Sequence, residues 1–128
     1  MCKNCKSKLK RNSKQFCSHQ CERDFQYKIY IENWLLGKEP GHHKTAVSNH
    51  VKRWLIEKYG RKCQKCGWHK INPVTNKVPV QVNHKDGNWQ NNRPENLELL
   101  CPNCHSLTPN FGALNKGHGR KYRIASVA

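Results

Sequence analysis

Acidic side chains are scarce in this chain. Of its 128 residues only 8 are Asp or Glu, against 24 Lys or Arg, and the formal net charge is +16. Apolar side chains are scarce too: 35% of residues are hydrophobic and the mean hydropathy is −0.99. So thin a core, enough for one domain or two very small ones, rarely holds a fold without cross-links. No run approaches the ~20 apolar residues of a membrane span, so no membrane partner is expected. The opening Met-Cys-Lys-Asn-Cys has no apolar stretch behind it that would read as an export signal. A secreted disulfide scaffold is therefore set aside, and a cytoplasmic chain is expected. No internal sequence repeat is present.

Against these shortages stand eight cysteines, at 2, 5, 17, 21, 63, 66, 101 and 104. They form four close pairs with none left over, a pattern that points to zinc in an intracellular chain. Cys2, Cys5, Cys17 and Cys21 make the first candidate site. The stretch between its pairs, KSKLKRNSKQF, is basic and almost without apolar residues, so burial cannot fold it and a metal must. His19 is an alternative ligand, but Cys17 and Cys21, four apart, share one helix face. Eight thiolates remove eight charges and two zinc ions return four, which leaves about +12. A chain this basic suits nucleic acid, whose phosphates exchange counterions for Lys and Arg.

A helix is expected from Ser18 as N-cap to Gly37 as stop, with Phe25, Ile29, Tyr30, Trp34 and Leu36 as its core stripe. Lys38 to Lys44 reads as a basic linker broken by Pro40 and Gly41. Its His42 and His43 would point apart on an extended segment and do not suit one metal. A second helix begins at Thr45 or Ser48 and ends at Gly60, with Val47, Val51, Trp54, Leu55 and Tyr59 on its apolar side. The expected division is a zinc module and helix at 1–37, a linker at 38–44, a main domain at 45–115 and a basic tail at 116–128.

In the main domain Cys63 and Cys66, followed by a turn glycine, find their partners across a 34-residue gap in Cys101 and Cys104. Residues 67–77 read as loop. Val78 to His84 alternates as a strand, with Val80, Val82 and His84 on one face and Gln81 and Asn83 on the other. Asp86-Gly87 is a turn. Leu97, Leu99 and Leu100 continue the core in a short extended segment. Pro102 suits the first turn of a helix that carries Cys104 and His105. A neutral imidazole and an oxygen donor are reasonable ligands for Mg²⁺, Mn²⁺ or Ni²⁺. A separate histidine can take a proton from water near neutral pH. Phosphodiester cleavage needs both services.

The run NHKDGN…NN…ENLELLCPNCHSLT resembles the HNH endonucleases, closely over residues 61 to about 110. The chain as a whole is similar to small phage-borne HNH proteins, including free-standing homing endonucleases with an N-terminal zinc module. The resemblance implies a small α+β, zinc-stabilised fold: a ββα-metal core beside an N-terminal zinc knuckle and connecting helices. It implies that His84 is the general base, that Asn83 and His105 hold one catalytic divalent metal, and that Asn96 orients the strand bearing the base. Two structural zinc ions would sit on Cys2, Cys5, Cys17 and Cys21 and on Cys63, Cys66, Cys101 and Cys104.

Many family members have Asp where this chain has Asn83. An amide oxygen neutralises less metal charge than a carboxylate, so weaker Mg²⁺ binding and better activity with Mn²⁺ or Ni²⁺ are expected. Asp86 reads chiefly as a turn former. The expected activity is hydrolysis of double-stranded DNA by a monomer, nicking or cutting both strands, in the host cytoplasm if the gene is a phage's. Lys8, Lys10, Arg11, Lys44, Arg93, Lys116, Arg120, Lys121 and Arg123 are the expected backbone contacts. Trp89 suits either the groove or a small core under its loop. The alternatives are a non-catalytic zinc module that binds nucleic acid, and an HNH RNase.

Overall fold

A computed structural model describes residues 1–11, 15–109 and 111. The chain divides into two compact units, Met1–Glu39 and Pro40–Ala128. The expected contacts Lys116, Arg120, Lys121 and Arg123 lie outside the described residues.

In the first unit the backbone folds tightly around Cys2. Its N–H donates to the Ser7 carbonyl at 2.8 Å, and its own carbonyl accepts the Lys6 N–H at 3.0 Å. Helix α1 runs His19–Leu35. Ser18 caps it as expected, its Oγ accepting the Cys21 N–H at 3.1 Å. Gly37, at φ +83°, donates back to the Trp34 carbonyl and ends it. The buried positions are Tyr27, Ile31 and Trp34, whereas Ile29 and Leu36 are 44% and 65% exposed. Of the expected stripe only Trp34 is buried. Apolar residues fall nearly all round this helix, so its 3.6-residue period does not select a face.

In the second unit the expected linker carries a strand. Strand β1 (His42–His43) pairs antiparallel with β2 (Ala46–Val47), with Lys44 at φ +55° in the turn. Helix α2 (Asn49–Tyr59) starts at Ser48, whose Oγ accepts the His50 N–H at 3.2 Å, and stops at Gly60. It packs on strand β4 (Leu97–Leu100) through an apolar side that includes the buried Val51 and Leu55. Strand β3 (Gln81–His84) pairs antiparallel with β4, in the register Gln81–Leu100, Val82–Leu99, Asn83–Glu98 and His84–Leu97. Opposed residues share a face, so Val82, His84, Leu97 and Leu99 lie on one side and Gln81, Asn83, Glu98 and Leu100 on the other. A single 3-10 turn, Pro94–Asn96, leads into β4.

Helix α3 (Pro102–Ser106) follows β4 directly and packs on both strands. Leu100, Cys63 and Cys101 form a buried cluster, and Trp68 and Cys104 pack against it. The Cys63–Cys66 turn is stitched to β4 by one residue. Gln64 donates its N–H to the Leu99 carbonyl at 2.8 Å and accepts the Leu99 N–H on its Oε1 at 2.5 Å. Among the described residues no helix is long and apolar enough to cross a membrane.

Candidate active site

His84 is the last residue of β3, and its carbonyl accepts the Gly87 N–H at 2.9 Å, which closes the Asp86-Gly87 turn. Its Nε2 lies 2.7 Å from Oδ1 of Asn92, a residue only 1% exposed. The Asn92 Nδ2 donates to the Trp89 carbonyl at 2.9 Å. A carbonyl only accepts, so this bond fixes which end of the amide faces His84. The Asn92 oxygen in turn only accepts, so Nε2 carries the proton and Nδ1 is the basic nitrogen. Trp89 itself is half-buried and meets the His42 ring edge-on, centroids 5.3 Å apart.

Asn96 ties the intervening loop. Its Nδ2 donates to Asp86 Oδ1 at 2.9 Å and to the Asn91 carbonyl at 2.8 Å, while its Oδ1 accepts the Asp86 N–H at 3.1 Å. Asn91 Nδ2 reaches the other Asp86 oxygen at 2.7 Å, and the Asn88 N–H donates to Oδ1 at 2.8 Å. Asp86 is held below its ordinary 3.8: burial works against ionisation, but the Asn91, Asn88 and Asn96 donors and the nearby His84 outweigh it. Asp86 thus anchors the loop from its centre.

Asn83 is buried, and its Nδ2 donates to Glu98 Oε1 across the sheet at 3.0 Å. His105 stands on α3, half-buried, with its ring edge-on to Phe111 at 5.3 Å. Its carbonyl accepts both the N–H and the Oγ1 of the buried Thr108. An amide oxygen such as that of Asn83 and an imidazole such as that of His105 are each donors that suit a hard or borderline divalent cation.

Each cysteine tetrad gathers its four sulfurs within 4.8 Å of one another. All eight are free thiols, with sulfur separations such as 3.6 Å for Cys5–Cys17, 3.3 Å for Cys17–Cys21 and 3.7 Å for Cys66–Cys101. These lengths are far from the ~2.05 Å of a disulfide and near the about 3.8 Å edge of a ZnS₄ tetrahedron built on 2.3 Å bonds. Burial pushes the Cys2 and Cys63 thiols up, but backbone N–H donors outweigh it and bring both down to about 6. Neighbouring sulfurs push Cys17 up to about 11 and Cys104 up to about 12. Four thiols this close cannot all ionise alone, and a divalent cation removes the conflict. Both tetrads could therefore bind zinc.

Lys8, Lys10, Arg11 and Lys44 are exposed and Arg93 is half-buried. The sequence reasoning missed Asn92, Glu98 and Gln64. Glu98 left a signal, being the one charge inside LELL. Asn92 stood in the quoted run only as the second letter of its NN pair, because its role depends on a fold-back that places it beside His84.

Residues 76–106 match the family described as HNH endonuclease. The chain is 46% identical over 67 residues to the H-N-H endonuclease F-TflIV of Escherichia phage T5, covering 52% of this chain and 29% of that protein. It is 34% identical over 80 residues to the Zorya protein ZorE of Escherichia coli, covering 62% of this chain and 17% of that one. The matched region spans less than a third of either relative's length. No solved structure matches. The chain thus resembles the HNH endonucleases, with a phage enzyme among its relatives.

Proposed function

We propose that this chain is a metal-dependent HNH endonuclease that hydrolyses phosphodiester bonds of double-stranded DNA, of the phage homing type. The observation that carries the reading is the Trp89–Asn92–His84 chain of hydrogen bonds, which presents a basic Nδ1 inside the HNH-matching segment. His84 Nδ1 takes a proton from water as the water oxygen attacks phosphorus. The P–O3′ bond then breaks, leaving a 5′-phosphate and a 3′-hydroxyl once the leaving oxygen gains a proton. Asn83 Oδ1 and His105 would hold the divalent metal, which would supply stabilisation of charge on the phosphate and the leaving oxygen. Asn96 keeps the loop closed on the base.

In this reading β3, β4 and α3 are a ββα-metal unit, and a zinc ion on each tetrad is structural. Zinc at Cys104 fixes the start of α3 and so the neighbouring His105. The N-terminal module at 1–37, the segment at 38–44 and the tail at 116–128 flank the nuclease domain at 45–115 and bring Lys and Arg to the DNA backbone. The protein acts as a monomer in the cytoplasm.

The test is cleavage of supercoiled plasmid with added Mg²⁺ or Mn²⁺, comparing wild type with His84→Ala. Metal-dependent nicking or linearisation is expected from the wild type and about 10²-fold or more slower cleavage from the variant. Full cleavage by His84→Ala would remove His84 as the base. DNA binding without cleavage by the wild type would leave only a binding module, and preference for an RNA substrate would make it a ribonuclease.

A further inference from the structure

Asn83 is a neutral residue where the mechanism calls for a ligand to a doubly charged ion, and its cross-strand partner is a carboxylate. Asn83 and Glu98 face each other in the β3–β4 register, on the face they share with Leu100. The amide must turn its NH₂ to Glu98, because turning its oxygen there would set two acceptors against each other. The 3.0 Å bond from Nδ2 to Oε1 therefore does two things. It commits the nitrogen and leaves Oδ1 as the atom of Asn83 offered to a cation. It also polarises the amide, since a donor N–H held by an anion pushes electron density onto the carbonyl oxygen. Metal-ligating histidines gain basicity in the same way from a carboxylate behind the ring.

We infer that Glu98 is the positioning and charge-supplying partner of the catalytic metal site, so that the Asn83–Glu98 pair together replaces one acidic ligand. The inference rests on the proposed roles of Asn83 and His105. The negative charge is moved one hydrogen bond outward rather than lost. Affinity for Mg²⁺ and Mn²⁺ then depends on a residue that does not itself need to touch the ion. Glu98 is half-buried, and its chain neighbours Leu97 and Leu99, buried on the opposite face, anchor the strand that carries it. An Asp at position 83 beside Glu98 would crowd two carboxylates on one face, which explains why the amide suits this chain.

The experiment is Mn²⁺ titration of the zinc-loaded full chain, read by loss of the free-ion EPR signal and without DNA. Glu98→Gln keeps an oxygen that accepts from Asn83 and removes only the charge, so the fold is retained. It is expected to weaken Mn²⁺ binding about ten-fold, the low end for loss of a partner behind a ligand. The exchange Asn83→Asp with Glu98→Gln moves the carboxylate inward and the amide outward and is expected to return the affinity to near the wild-type value. Wild-type affinity in Glu98→Gln overturns the inference, as does an exchange variant that binds no better than Glu98→Gln alone. His105→Ala, titrated in parallel, separates the two levels. Weakened binding there with Glu98→Gln unaffected removes only the role of Glu98. Unchanged binding in both removes the proposed metal site itself.

Discussion

The Oδ1 of Asn92 accepts a 2.7 Å hydrogen bond from Nε2 of His84, and the nitrogen of the same amide is spent on the Trp89 carbonyl. Neither end of Asn92 can be exchanged without setting like groups against each other. A buried asparagine thus selects the tautomer of the residue proposed to activate water, much as a carboxylate would but without adding a charge. Asn92 thus adds no charge that would favour the imidazolium over the neutral imidazole.

Asn92→Asp tests that distinction. A carboxylate against Nε2–H stabilises the imidazolium and raises the His84 pKa. A base must be unprotonated, so the acidic limb of the pH–rate profile should move to higher pH. Activity at pH 6 should fall more than activity at pH 9. Asn92→Leu removes the acceptor without adding charge and should lower kcat about 10–100-fold at all pH values, with KM for DNA little changed. Superimposable pH profiles for wild type and Asn92→Asp would show that Asn92 does not act through His84.

Asn96 and Asp86 make a second prediction, about stability. Asn96→Asp replaces a donor to two acceptors, the Asp86 carboxylate and the Asn91 carbonyl, with a third acceptor. The loss should be about 1–3 kcal/mol, that of a buried amide's hydrogen bonds lost with a like charge brought beside the exposed Asp86, measured by urea unfolding. Asp86 also carries a pH signature. Its folded pKa is depressed below 3.8, so the stability it contributes is full above the unfolded value and is lost as pH falls through the folded one. The wild-type Tm should therefore drop below about pH 4 more steeply than that of Asp86→Asn.

What the sequence made legible was what local chemistry decides. Cysteine spacing marked both sulfur clusters, because thiols in close pairs have few other uses in such a chain. Ser18, Ser48, Gly60 and Pro102 marked helix ends through their own backbone preferences. The partners of His84 and Asn83 were not legible, because Asn92 and Glu98 reach them through a loop closure and a strand register that no single residue encodes. The buried face of α1 was hidden by apolar residues on nearly every side. The β1–β2 hairpin was hidden by its glycine- and proline-containing approach, which reads as linker.

Gln64 yields a third prediction. It supplies β4 with both a donor and an acceptor, as a neighbouring strand would, and so couples the Cys63–Cys66 turn to the sheet. Gln64→Ala keeps the main-chain bond to Leu99 and loses the side-chain one, leaving the Leu99 N–H without its protein acceptor. The variant should lose about 1–3 kcal/mol of stability, the cost of an unsatisfied buried donor. Hydrogen exchange should quicken at the Leu99 amide before it does at β3. Unaltered exchange at Leu99 would show that the Cys63–Cys66 turn and the sheet are held together by other contacts.

The two tetrads make the fourth prediction, because they occupy different units and should fail differently. Cys17→Ser breaks the tetrad of Met1–Glu39, and Cys104→Ser breaks the one in Pro40–Ala128. If each tetrad holds the zinc ion proposed for it, each variant should lower the zinc content by one ion per chain, measured by elemental analysis, since three thiolates and a hydroxyl hold the ion far less well. Cys104→Ser also removes the anchor at the residue before His105, so Mn²⁺ binding and plasmid cleavage should both be lost. Cys17→Ser should leave Mn²⁺ affinity unchanged and weaken only DNA affinity, because Lys8, Lys10 and Arg11 lose the scaffold that presents them. That weakening should shrink as salt is raised, since it comes from lost phosphate contacts. Equal loss of Mn²⁺ binding in both variants would mean that the first tetrad supports the proposed metal site as well.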